Sequence, residues 1–198
     1  MEVMKTILAA FLASMALTTT AFAQSLSVTP SSAMVQIGDD VVVSIAADGL
    51  GDGIAPSVGV FDIDLAFDPG LLQFTSADYG TGLDVLGLGS VRTTTEGVGS
   101  INLFELSLDS ADDLNGLQSG AFSFATVTFR AMTAGSSALS LTVNAIGDGD
   151  GAALSFSVSN GQVTVSAVPE LPIWALFGTA LAGLALRRSA CRGLDRIS

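Results

Sequence analysis

Phe61-Asp62-Ile63-Asp64-Leu65-Ala66-Phe67-Asp68-Pro69-Gly70 is the stretch on which the fold turns. Apolar side chains occupy every second position, Phe61, Ile63, Leu65 and Phe67, and the acids Asp62 and Asp64 fall between them. In an extended chain successive side chains point to opposite faces, so the segment reads as a strand with one face in a core and one in water. Asp68-Pro69-Gly70 ends it with turn chemistry, the proline presetting φ and the glycine relaxing the backbone. Residues 71–75 then open a neighbouring strand.

The step of two continues on both sides, with turn residues every ten positions or so. Residues 33–37 and 41–47 make two short strands around Gly38-Asp39-Asp40, and 101–108 make another. Ala125, Val127, Phe129 and Ala131 alternate with Thr126, Thr128 and Arg130. Phe122 and Phe124 are out of phase with that row, which calls for a bulge near Phe124 or cover on both faces. Leu139, Leu141, Val143 and Ala145 form a further inward row. Residues 154–158 and 162–166 flank Asn160-Gly161, the dipeptide favoured in type I′ turns, and are expected to form a hairpin. Residues 110–117 fit a helical turn on a crossover loop. These signals together predict an all-β sandwich.

The order of these segments resembles a cohesin domain. The likeness rests on 57–67 followed by Asp68-Pro69-Gly70-Leu71-Leu72, on Gly120-Ala121-Phe122 through Val127-Thr128-Phe129-Arg130-Ala131, and on Asn160-Gly161-Gln162-Val163-Thr164-Val165. It covers roughly residues 25–166. It implies a nine-stranded jelly-roll β-sandwich, an architecture shared with a group of carbohydrate-binding modules. It also implies a protein-binding face, because cohesins hold dockerin modules in cell-surface assemblies. No dockerin-like calcium repeat occurs in this chain, so such a partner would be a separate protein.

Both ends read as transport signals. Lys5 precedes an apolar run over 7–17, and Ala21-Phe22-Ala23 forms a small-x-small site for cleavage before Gln24. Residues 1–23 are therefore expected to be a signal peptide, leaving 24–167 as the domain and 168–198 as a tail. In that tail Val168-Pro169-Glu170 leads into an apolar segment over 171–186 that holds Trp174 and Ala175, and Arg187 and Arg188 follow. As a single helix the segment would reach about 24 Å, a marginal span of the ~30 Å hydrocarbon core. The arginines would hold its far end in the cytoplasm. The tail resembles the PEP-CTERM signal of Gram-negative bacteria, with Leu171 where that motif has its second proline. The resemblance implies an exosortase-type sorting protease as a partner, membrane insertion through the C-terminal helix, and final display at the cell surface or outside the cell. A permanent anchor is the competing reading.

Residues 24–167 carry 16 acidic and two basic side chains, Arg92 and Arg130, for a net charge of −14. Such a surface repels phosphate backbones and excludes nucleic acid as a partner. The sequence has no histidine, and its single cysteine, Cys191, lies beyond the apolar segment, so Ser-His and Cys-His nucleophile pairs are absent and the domain has no disulfide. Asp62 and Asp64 share a strand face, the arrangement of a glycosidase acid pair, but two acids on a solvated strand face need no special reason; the solvated face is the better reading, and the chain reads as non-enzymatic. In Gly147-Asp148-Gly149-Asp150-Gly151 the two carboxylates could converge on Ca²⁺, or the loop could simply be a tight connection needing no cofactor. Sugar stacking needs exposed flat aromatics, and Tyr79 is the domain's one tyrosine. The function expected is an exported interaction or scaffolding module, with exopolysaccharide binding as the alternative.

Overall fold

The computed structural model describes residues 24–167. Over them the chain forms β1 (Ser25–Pro30), β2 (Met34–Gln36), β3 (Asp40–Asp48), β4 (Val60–Ala66), β5 (Leu72–Tyr79), β6 (Ser90–Gly97) and β7 (Ser100–Ser107). Then come α1 (Ala111–Leu117), β8 (Phe122–Ala131), β9 (Gly135–Gly147), β10 (Ser157–Ser159) and β11 (Gly161–Ser166). The strands build two sheets, β10-β1-β3-β8-β5 and β2-β11-β9-β4-β7-β6. Pairing is antiparallel except for β1 with β10 and β11 with β2. Among the described residues no helix is long and apolar enough to cross a membrane.

β4 has the predicted two-sided character: Phe61, Ile63 and Leu65 are fully buried, and Phe67 just beyond it is nearly so. Asp68 terminates it, its Oδ1 accepting from Gly70 N at 2.8 Å and its carbonyl from Leu71 N and Leu72 N. The turn does more than reverse the chain. It carries it across the sandwich, so β5 pairs with β8 in the opposite sheet and is no neighbour of β4.

Three bulges interrupt the ladders, one of them at Thr75 of β5, and those in β8 and β9 decide which side chains reach the core. In β8, Ile45 faces Ala125 and Ala46 faces Ser123, which leaves Phe124 as the extra residue. The bulge expected there is present, and it turns both Phe124 and Ala125 inward. In β9, Asp62 faces Ala145 and Ile63 faces Val143, so Asn144 is the extra residue. This bulge overturns the predicted inward row: Ala145 is exposed and Ile146 is buried in its place.

The hairpin expected at Asn160-Gly161 does not form. β10 pairs with β1 and β11 with β9 and β2, so the dipeptide is a crossing between sheets. Asn160 Oδ1 accepts from Leu141 N at 3.0 Å, standing in for a missing backbone partner. A Cβ on Gly161 would lie 2.6 Å from Val28 O, so glycine serves close approach here and not a positive φ.

The core spans the sandwich through aromatic pairs. Phe61 of β4 stacks on Phe124 of β8 with ring centroids 4.5 Å apart and planes 6° from parallel. Phe67 packs against Phe129 at 4.8 Å. At one end, α1 starts at Ser110, whose Oγ accepts from Asp113 N, and Asp112 and Asp113 favour its first turn. The buried Gln118 follows α1 and staples three segments: Nε2 donates to Val58 O and Gly82 O, and Oε1 accepts from Val58 N.

Candidate functional site

The outer face of β9-β4-β7-β6 is built by the residues that alternate with the core. Register aligns Val60 with Leu106 and Val91 in one cross-strand row, Asp62 with Phe104 and Thr93 in the next, and Asp64 with Asn102 and Thr95 in a third. Leu106 is 41% and Val91 47% exposed, and Leu108 beyond them 57%. The first row therefore offers solvent an apolar strip in which Leu106 and Val91 are exposed and Val60 is half-buried.

Beside it stands a polar ring. Asn102 Nδ2 donates to Asp62 Oδ1 at 2.6 Å and to Asp64 Oδ1 at 3.0 Å. Asn144 Nδ2 donates to Asp62 Oδ1 at 3.1 Å and to Asp64 Oδ2 at 2.8 Å. Each carboxamide thus bridges both carboxylates, holding two like charges side by side on one strand. Asn102 reaches them from its place in the β7 register, and Asn144 from the β9 bulge. With its amide donors used up, the ring offers only oxygen acceptors outward. It lies on an open sheet face. Two clefts of about 480 and 510 Å³ lie elsewhere, the first around Phe67, Phe74 and Met132 and the second around Gly82, Leu117 and Phe122.

Tyr79 is no sugar platform. It closes the seam where β5 meets β6: its hydroxyl donates to Thr93 O at 2.6 Å and lies 2.9 Å from Thr94 Oγ1. Its ring stacks on Phe61 at 6.3 Å, and the Arg92 guanidinium sits 5.5 Å from its centroid. Arg92 also donates from Nη2 to Gly80 O and from Nε to Glu105 Oε1 at 2.8 Å. Glu105 points inward in the alternation of Ile101 and Leu103 and is 1% exposed, and Ser90 Oγ adds a second donor at 2.6 Å.

Burial pushes the Tyr79 phenol above its ordinary value of 10.0, and the Thr94 hydroxyl only partly offsets this. The folded state therefore holds the phenolic proton more tightly than the unfolded chain. The stability this provides is complete below the unfolded value and is lost as pH rises through the folded one. As the chain has one tyrosine, its tyrosinate absorbance should develop with a midpoint above that of free tyrosine; a midpoint at the free value would contradict this placement.

Asp148 and Asp150 lie in the loop after β9. Asp148 Oδ1 accepts from Asp150 N at 3.0 Å and Ala152 N at 2.7 Å, and Gly151 takes a φ of +84° to close the turn. Asp150 is exposed. Among the described residues no group of three or more His, Cys, Asp or Glu side chains is arranged to hold a metal ion. The cleavage residues Ala21 and Ala23, the sorting residues Val168, Pro169, Glu170, Trp174 and Ala175, and the basic stop Arg187 and Arg188 lie outside the described residues; Gln24 is the first residue within them. Asn102, Asn144, Glu105 and Gln118 were not singled out by sequence reasoning. Glu105 alone had a usable signal, an acid at an inward position of a strand.

No protein-family model and no curated protein sequence matches the chain. Solved structures do. A non-cellulosomal cohesin from the archaeon Archaeoglobus fulgidus aligns at TM-score 0.56 and 24% identity, over 73% of this chain and 91% of that one. The sixth cohesin of Acetivibrio cellulolyticus scaffoldin B, solved with a Cel5 dockerin, aligns at TM-score 0.59 and 19% identity, over 73% and 99%. The Coh-OlpC–Doc435 complex of Clostridium thermocellum aligns at TM-score 0.60 and 14% identity, over 74% and 96%. At these identities the likeness is one of fold, and residues 24–167 form a cohesin-like β-sandwich.

Proposed function

We propose that the chain is an exported, non-enzymatic interaction module that docks a protein partner on the outer face of β9-β4-β7-β6. The observation that carries this reading is the exposed apolar pair Leu106 and Val91, in one row with Val60, next to the preorganised Asp62–Asn102–Asn144–Asp64 ring. Apolar area supplies affinity, and an acceptor ring already fixed in place supplies orientation with little ordering cost on binding. Two of the fold neighbours are described in complex with dockerins, which supports a partner of that kind. The test is capture of partners from the secreted fraction. A captured protein should bind the Leu106→Asp variant at least about tenfold more weakly, a loss of about 1.4 kcal/mol. Equal binding by the variant would move the interface elsewhere.

Export and sorting complete the proposal. A signal peptide over 1–23 would deliver the acidic domain across the inner membrane of a Gram-negative cell, and the apolar segment over 171–186 with Arg187 and Arg188 would hold the tail in that membrane. An exosortase-type protease acting at Pro169-Glu170 would then release the domain to the surface or the surrounding matrix. Mass spectrometry of the mature protein should find Gln24 first and an end near Glu170. A chain intact to Arg196 would instead establish a permanent anchor.

A further inference from the structure

The opposite face of the sandwich, on β10-β1-β3-β8-β5, has a different chemistry. Register lines up Thr29, Ser44, Thr126 and Asp78 in one cross-strand row and Val42, Thr128 and Ser76 in the next, with Ser27 beside Ala46 on the other side. The rows sit about 7 Å apart along each strand and the strands about 4.8 Å apart, so the hydroxyls form a regularly spaced array on the twisted sheet face. Thr29, Ser76 and Asp78 are exposed, and Ser44, Thr126 and Thr128 are half-exposed. On the other sheet, by contrast, the polar side chains bond one another.

Charge and apolarity narrow the occupant. Asp40 is paired with Arg130 at 3.0 Å at one end of the face, Asp48 stands at the other end, and Asp78 lies on its edge strand; the centre carries no charge. The body as a whole, at −14 over residues 24–167, repels polyanions. Val42, 38% exposed, is the one large apolar side chain in these rows, too little for a protein interface core. What remains complementary is an uncharged polymer that is itself a lattice of donors and acceptors.

We infer that this face is a second, independent binding surface, for a neutral polysaccharide chain laid flat across β1-β3-β8-β5. Each serine or threonine hydroxyl both donates and accepts, as sugar hydroxyls do, and Asp78 adds a charge-assisted acceptor at the rim. Individual contacts replace bonds to water and are weak, so binding depends on many of them acting along one chain. The domain would then hold a protein on one face and matrix polymer on the other.

The experiment is affinity electrophoresis of the full exported chain in gels containing a soluble neutral α-glucan, β-glucan or dextran, with alginate as the polyanion. At least one neutral polymer should retard the protein and alginate should not. The Ser44→Glu/Thr126→Glu variant, which plants two charges in the central row, should lose at least tenfold in retardation constant. Thr133→Glu/Ala134→Glu adds the same charge in the β8–β9 turn and should keep it, with matching melting curves showing that both variants fold. No retardation by any neutral polymer, or equal retardation of the two variants, would overturn the inference.

Discussion

Phe124→Ala will lower the unfolding free energy of the domain by about 3–5 kcal/mol, the usual cost of deleting a fully buried phenylalanine ring. Phe124 is 0% exposed and reaches across the core from β8 to Phe61 of the opposite sheet. Its ring is stacked on Phe61 and flanked by Phe122 and Phe156 at 5.4 and 6.4 Å. These neighbours belong to both sheets and to the segment before β10, so no single element can move in to fill the space. The bulge makes the loss worse, because Phe124 is the residue the β3–β8 ladder skips, and without the ring nothing holds that irregularity inward. A domain of this size has roughly 5–15 kcal/mol to lose, and the change should appear in calorimetry as a drop of roughly 10 °C. Phe104→Ala is the counterpart on the outer face, where the ring is half-buried, and should cost clearly less, about 1–2 kcal/mol. Equal losses at the two positions would mean that the strand faces are assigned the wrong way round.

That contrast also marks what can be read from sequence. β4 is legible because a strand with one buried face writes its period of two directly into Phe61, Ile63 and Leu65. The bulge at Phe124 is legible because two aromatics break phase in an otherwise regular row. The bulge at Asn144 is not, since Val143, Ala145 and Ile146 are all acceptable inward residues and only pairing with β4 decides among them. Asn160-Gly161 misleads for a related reason: turn propensity is local, whereas β10 is claimed by β1, more than a hundred residues earlier in the chain, and β11 by β9 and β2 of the other sheet. β6 has no apolar rhythm to find, because its Thr93-Thr94-Thr95 edge is exposed throughout. The acids of the candidate site were visible as a pair, but their fixation was not, because Asn102 and Asn144 reach them from strands 38 to 82 residues away. Long-range pairing is what a single sequence conveys least.

Arg92→Met should destabilise the domain by about 3 kcal/mol, whereas the double change Arg92→Met/Glu105→Leu should return to within about 1 kcal/mol of the parent. The asymmetry follows from where the two charges sit. Glu105 is 1% exposed between the sheets and keeps only Ser90 as a donor once the guanidinium is gone, so the single change strands a carboxylate away from water. The Arg92 side chain is 37% exposed, which lets solvent screen the pair and holds the expected loss at the lower end for a broken buried ion pair. Glu105→Leu alone should therefore cost less than Arg92→Met, because the freed guanidinium still donates to Gly80 O, still covers Tyr79, and can reach water. The two residues are in contact, so their effects must be non-additive, and the double-mutant cycle isolates that coupling. Denaturant midpoints for the four proteins measure it directly. If the double variant were as unstable as the sum of the singles, the seam would be held by the Arg92 guanidinium over Tyr79 and its bond to Gly80 O and not by compensation of a buried charge.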